Sequence, residues 1–199
     1  MRVKLLLASS NTGKLKEFRA MAASVDGAHQ IELDLLPGFD ALPRFAEDAI
    51  TFAENAAGKA LHYSRFAEGM IVADDSGLVV PALGGSPGVR SARYAGGNAT
   101  DGQRNEKLLV ELRGKTGDQR SAKFVCVIAA AKRGKMLAVV SDCVEGRITE
   151  TPCGTGGFGY DPVFYFAPTR KTFAELSPAE KNNLSHRGKA FRKLCAALA

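Results

Sequence analysis

The sequence predicts an α/β domain in which helices flank a mixed sheet. Three observations carry that expectation. Short apolar runs of strand length alternate with helical periodicity along the chain. Two of those runs, residues 123–131 and 136–144, are joined at Arg133-Gly134-Lys135, which is hairpin spacing. The chain has 199 residues, 45% of them hydrophobic, enough to bury one core drawn out into two lobes.

The elements follow in order. Residues 3–8 form a first buried strand, and the polar turn SSNTGK leaves it. A helix over 14–23 sets Leu15, Phe18 and Ala22 on one side. Residues 31–36 make a second strand, closed by a loop at Pro37, Gly38 and Pro43. A long helix is expected over 47–67, its acidic start at Glu47 and Asp48 suiting the positive end of the helix dipole. A short strand at 71–73 runs into Asp74 and Asp75, with Ser76 and Gly77 read as a turn. Extended character resumes over 78–83, where Pro81 restricts it to an edge or a bulge. Residues 84–100 are a glycine-rich loop, and Asp101 opens a helix to Leu112 with Leu108, Leu109 and Leu112 as its apolar face. After the hairpin come a second glycine-rich loop over 154–162 and a last strand over 163–166. Ser177 and Pro178 open a single C-terminal helix as N-cap and first position. No internal repeat or low-complexity linker interrupts the chain.

Composition narrows the classes. The longest apolar run is far short of the ~20 residues that span a bilayer. The N-terminal run is too short for a secretory signal, so a cytoplasmic protein is expected. Cys126, Cys143, Cys153 and Cys195 show no CxxC spacing and read as reduced thiols. The formal net charge is +6, and residues 170–199 hold seven Lys/Arg against two Glu. That cationic end suits an anionic partner, a polyphosphate or a nucleic acid, but equally a solvated helix face.

Five segments carry chemistry, each with an ordinary reading beside it. Ser9, Ser10, Asn11, Thr12, Gly13 and Lys14 join a strand to a helix start, where unpaired amides and the dipole favour an anion. No GxxxxGK[ST] loop is present, and a plain turn with a surface lysine would look the same. Asp74 and Asp75 repel each other unless a cation offsets them, and Mg²⁺ is the usual hard partner of carboxylate oxygen. Successive strand residues face opposite ways, so one would serve the metal and the other local structure. GTGGFGYDP, residues 154–162, sets Phe158 and Tyr160 among four glycines, as a base-stacking loop or as aromatics dipping into the core. Lys181, Ser185, His186 and Arg187 share roughly one side of a helix, either binding an anion or making a basic surface. In FAENAAGKA, residues 52–60, Asn55 and Lys59 are four apart and could share a side, yet the segment reads as simply a helix. His29 and His62 lack comparable company and read as surface residues.

Together SSNTGKLKEF, TFAENAAGKA, VADDSGL, LGGSPGVRSARYAG, GTGGFGYDPVF and AELSPAEKNNLSHRGKA resemble one family, the inosine triphosphate pyrophosphatases, which act on non-standard purine nucleotides. The resemblance runs from Leu5 to about Leu194. It implies an elongated ITPase-like α/β fold, with two lobes around a long mixed sheet. Residues 1–199 would then be a single catalytic domain with the substrate in the cleft between lobes, and the protein a homodimer. The implied reaction is Mg²⁺-dependent hydrolysis of ITP, dITP or XTP between the α- and β-phosphates, giving a monophosphate and pyrophosphate. Ser9 to Lys14 match the triphosphate loop, Asp75 the general base and metal ligand, and Ser76 a substrate contact. Phe158, Gly159, Tyr160 and Asp161 match the base-binding loop, and Lys181, His186 and Arg187 the remaining substrate contacts.

One departure concerns the metal. The family's first glutamate before TF falls here at Ala46, which leaves Glu47, Asp48 or water to complete the shell, Glu47 being the expected ligand. Arg187 and His186 are expected to read the purine 6-keto group, with a wall near Phe158 or Tyr160 refusing the 2-amino group of guanine. The alternatives are a related pyrophosphatase for pyrimidine or modified nucleotides, and a basic nucleic-acid-binding module. The latter leaves the Asp74–Asp75 pair unexplained; neither nucleic acid nor membrane is the expected partner.

Overall fold

The structure, a computed structural model, describes residues 2–24 and 30–198; His29 lies outside them. Among the described residues the strands are β1 (Arg2–Leu7), β2 (Gln30–Leu35), β3 (Met70–Val79), β4 (Ser121–Lys132), β5 (Lys135–Ile148), β6 (Phe164–Phe166) and β7 (Lys171–Thr172). The α-helices are α1 (Thr12–Ala23), α2 (Phe52–Tyr63), α3 (Asp101–Glu111), α4 (Pro178–Leu184) and α5 (His186–Leu198). The strands form one sheet in the order β2-β1-β3-β4-β5-β6-β7. β1 lies parallel to both β2 and β3, with Leu5 opposite Leu33 and Leu7 opposite Val72. β6 is antiparallel to β5 and to β7. The sheet is therefore mixed, as the alternation of strands and helices predicts.

The chain divides into two compact units, each discontinuous in sequence. The first holds residues up to Asp75, Cys126–Asp142 and the chain from His186 onward. Side chains alternate across its strands, so β1 feeds two cores at once. Leu5 and Leu7 pack with Phe18 and Met21 of α1 and with Phe191 and Leu194 of α5. Phe18 and Phe191 meet edge to face, 5.6 Å between centroids. Leu6 and Ala8, on the other side, pack with Ala56, Ala60 and Tyr63 of α2. Each large side chain so buried contributes about 1.5–3 kcal/mol. The second unit holds Ser76–Val125 and Cys143–Ser185. Its core joins Leu108 and Leu112 of the α3 segment to Phe124, Val144, Ile148, Phe164 and Phe173.

Four elements differ from the sequence expectation, each for a local reason. The helix expected over 47–67 is shorter, because Thr51 caps α2 by accepting from the Glu54 N–H at 3.1 Å. Residues 47–50 precede the helix, and Asn55 holds that stretch through the Ala49 N–H at 3.1 Å. Ser76 and Gly77 make no turn: β3 runs unbroken through both and ends before the 3-10 turn that Pro81 opens. The single C-terminal helix is two, since Ser185 is extended at φ −70° and ψ 158°. β7 is a two-residue strand that no periodicity could announce. The hairpin holds. Arg133 and Gly134 both have positive φ, 49° and 74°, as a two-residue turn matching strand twist requires.

Candidate active site

In the first unit β1 delivers the chain to the start of α1. Asn11 caps the helix, its side chain accepting from the Lys14 N–H at 2.9 Å, and Ser9 Oγ accepts from the Asn11 N–H at 3.2 Å. The N–H groups of Thr12 and Gly13 stand in the first helical turn, where no intrahelical acceptor exists and the dipole is positive. Ser10, Asn11 and Thr12 are exposed, so an anion can reach them.

Beside this turn lies a dense charge cluster. Asp74 is wholly buried, 2.9 Å from Lys14 Nζ and 3.7 Å from Arg187 Nε. Arg187, at the head of α5, also pairs with Glu17 of α1. Lys59 of α2 donates to Glu47 at 2.9 Å and to the Asp74 backbone carbonyl at 2.8 Å. Burial alone would push the Asp74 carboxyl up, but Lys14, Arg187 and Lys59 outweigh it and hold it well below the carboxylate range. Asp75 faces the other way along β3 and meets one polar partner among the described residues, Asn55 Nδ2 at 2.9 Å. Burial pushes its carboxyl above the usual range, and Glu47 pushes the same way against the Asn55 hydrogen bond. Adjacent aspartates thus have opposite environments: one is locked as an anion, while the other can take up a proton or a cation.

Carboxylates outnumber cations in the cluster: Glu17, Glu47, Asp74 and Asp75 face Lys14, Lys59 and Arg187. That imbalance, with one Asp75 oxygen unclaimed by Asn55, leaves a place for a divalent cation. Among the described residues no three or more His, Cys, Asp or Glu are placed to hold one metal ion together. Any cation held by Asp75 and Glu47 would therefore keep waters and lean on substrate oxygens, the habit of Mg²⁺.

The second unit carries the aromatic loop. Asp161, buried, accepts from the Phe158 N–H at 2.8 Å and from Lys181 of α4. Lys181 Nζ also sits 4.7 Å from the Phe158 ring centroid, a cation–π distance. Gly157 has φ +70°, and a Cβ there would run into the Asp161 carboxylate, so only glycine fits. Tyr160 is buried in the core, its hydroxyl donating to the Ser91 carbonyl at 2.9 Å, whereas Phe158 is only half-buried.

With this geometry in hand, comparison with known proteins decides the family. The model of the Ham1 family matches residues 5–197. The chain belongs to the Ham1 family. It is 49% identical to a dITP/XTP pyrophosphatase of Geobacillus kaustophilus over 191 residues, covering 96% of this chain and 92% of that relative. A HAM1 protein from Coxiella burnetii superposes with a TM-score of 0.85 at 39% identity, covering 98% of both chains. The Staphylococcus aureus Ham1 protein gives 0.84 at 37%, covering 98% of this chain and 97% of that one.

Within this Ham1 chain the expected site residues fall into two groups. Ser9 to Lys14, Glu47, Asp75, His186 and Arg187 lie in the first unit; Ser76, Phe158 to Asp161 and Lys181 lie in the second. The break at Ser185 puts Lys181 and Arg187 on different helices rather than along one side. Arg187 is tied to carboxylates, and Tyr160 is a core residue. Three residues in contact with the charge cluster are not singled out as site residues by the sequence: Asn55, Lys59 and Glu17. Asn55 and Lys59 are four apart and both buried, on the side of α2 that also buries Ala56 and Ala60. Polar residues recurring with an apolar helical face were the available signal. Glu17 follows Lys14 by three and could be found only through Arg187, which is far away in sequence.

Proposed function

We propose that this chain hydrolyses dITP, ITP and XTP to the monophosphate and pyrophosphate with Mg²⁺ as cofactor. The observation that carries the proposal is the Asp75 carboxylate. It is buried, its pKa is raised above the usual range, Asn55 holds one oxygen, and Lys14 at the start of α1 and Lys59 stand near it. The dITP/XTP pyrophosphatases among its relatives support dITP and XTP as substrates.

The division of labour follows from the residues. Thr12 and Gly13 N–H groups hold phosphate oxygens of the leaving pyrophosphate, and Ser9, Ser10 and Asn11 shape that turn. Lys14, anchored by Asp74, keeps a fixed positive charge at the helix start. A water attacking the α-phosphorus gives its proton to the Asp75 carboxylate, and the bond to the β-phosphate breaks. Asp75 and Glu47 would hold Mg²⁺, which would supply positive charge to phosphate oxygens there. In the second unit the Phe158 ring stacks on the purine, with Lys181 and Asp161 setting its position and Ser76 contributing a further contact. His186 opens α5 beside Arg187, which orders Glu17 and Asp74.

Residues 1–199 act as one catalytic domain in this reading, and the active species is a homodimer, which should sediment with a mass near twice 21.1 kDa. Its four free cysteines fit the reducing cytoplasm. The test is a substrate panel. Pure protein with Mg²⁺ should release pyrophosphate from ITP, dITP and XTP far faster than from GTP or ATP. Equal rates on all five would defeat the selectivity; release of orthophosphate as first product would defeat the reaction.

A further inference from the structure

Hypoxanthine, xanthine and guanine share the 6-keto oxygen and differ at position 2, where they carry hydrogen, oxygen and an amino group. Any site that takes the first two and spares the third must discriminate there, and an amino group can only donate. In the second unit two successive carbonyls of the loop over 157–161 are engaged within the protein. The Phe158 carbonyl takes the Asp161 N–H at 3.3 Å. The Gly159 carbonyl takes Asn105 Nδ2 of α3 at 3.1 Å, and the Gly159 N–H goes to Asp101 Oδ2 of α3 at 2.6 Å. Asp101 and Asn105, four residues apart, lie on one side of α3 and grip both polar groups of a single residue. Arg104 steadies the grip by pairing with Asp101 and donating to the Ala92 carbonyl at 3.0 Å.

Two details say that this grip is more than packing. Asn105 Oδ1 is buried with no hydrogen-bond partner among the described residues, a cost that leucine at the same place would avoid. On its Cβ side Gly159 faces nothing within 4 Å, so the gripped peptide borders open space. Resting on the reading of this loop as the base site, we propose that Asp101 and Asn105 are positioning residues for purine selectivity. By engaging both polar groups of Gly159 they keep its carbonyl turned to α3 and away from a guanine 2-amino group.

The two grips have opposite signatures. Asn105→Leu frees the Gly159 carbonyl, an acceptor suited to the 2-amino group, and should raise the GTP/ITP ratio of kcat/KM by at least about fivefold. Asp101→Ala frees the Gly159 N–H, a donor suited to a 2-keto oxygen, and should raise XTP/ITP instead. Pyrophosphate release from ITP, XTP and GTP is measured for wild type and both variants, with melting curves alongside. Asn105→Ala repeats the first arm with less bulk should the leucine variant not fold. A merely structural clamp would lower all three nucleotides together, and unmoved ratios in an active enzyme overturn this inference alone. A wild type that releases no pyrophosphate from ITP overturns the proposed function as well.

Discussion

Replacing each of the two adjacent aspartates by asparagine separates their roles. At position 75 the amide oxygen can still accept from Asn55, so the change removes a charge and little else. Loss of a general base alone is worth ~10²–10⁴ in rate, and kcat should fall by at least that. Stability should move the other way. A carboxyl whose folded pKa is raised favours the folded state below its unfolded pKa and loses that contribution as pH rises through the folded value. Ionised Asp75 is therefore a cost near neutral pH, and Asp75→Asn should melt no lower than wild type in EDTA. Asp74→Asn inverts the pattern. It strands Lys14 and Arg187 in a buried site, a loss of ~3–5 kcal/mol for a broken buried pair. The low end applies, since Lys14 keeps some solvent and Arg187 keeps Glu17. For a chain of this size roughly 3 kcal/mol lowers Tm by about 6–12 °C. Calorimetry and initial rates on both variants read this directly. Asp75→Asn within threefold of wild-type activity, or Asp74→Asn inactive with an unchanged Tm, would show that the roles are exchanged.

Three further outcomes are expected. Glu47→Gln should raise the Mg²⁺ concentration for half-maximal rate on the order of tenfold, whereas Asp48→Asn should leave it in place; unchanged values in both would assign the shell to water and substrate. Arg187→Ala should lower kcat/KM for ITP and for the 6-amino nucleotide ATP by a common factor, because the guanidinium serves Glu17 and Asp74; a loss for ITP that narrows the ITP/ATP ratio would restore its expected role in reading the 6-keto group. Cys143 and Cys153 should react quickly with a thiol reagent at pH 8. The buried Cys126 and the half-buried Cys195, whose thiol burial pushes up to about 11, should react slowly, and four equally fast thiols would contradict the packing.

The sequence made the strand–helix alternation legible because Leu5 to Leu7, Phe124 to Ala131 and the α1 and α3 faces follow plain apolar periodicity. It misleads where polar residues read as the end of an element. Asp74 and Asp75 lie inside a ten-residue strand, their cost offset by partners at distant positions, and Ser76-Gly77 continue it without turning. Residues 47–50 carry helix-favouring acids, yet Lys59 and Asn55 draw them into other contacts. Ser185 looked like a helical residue until its extended backbone divided α4 from α5. The roles of Arg187, Glu17 and Lys59 depend on neighbours brought together by folding, which no local pattern encodes. The motif residues were visible; the partners that set their charge states were not.

The central claim is that water attacks the α-phosphorus and pyrophosphate leaves. Hydrolysis of ITP in water enriched in oxygen-18, with the products resolved by phosphorus NMR or mass spectrometry, tests it directly. One labelled oxygen should appear in the inosine monophosphate and none in the pyrophosphate. Label in the pyrophosphate, or inosine diphosphate and orthophosphate as the first products, would contradict the account.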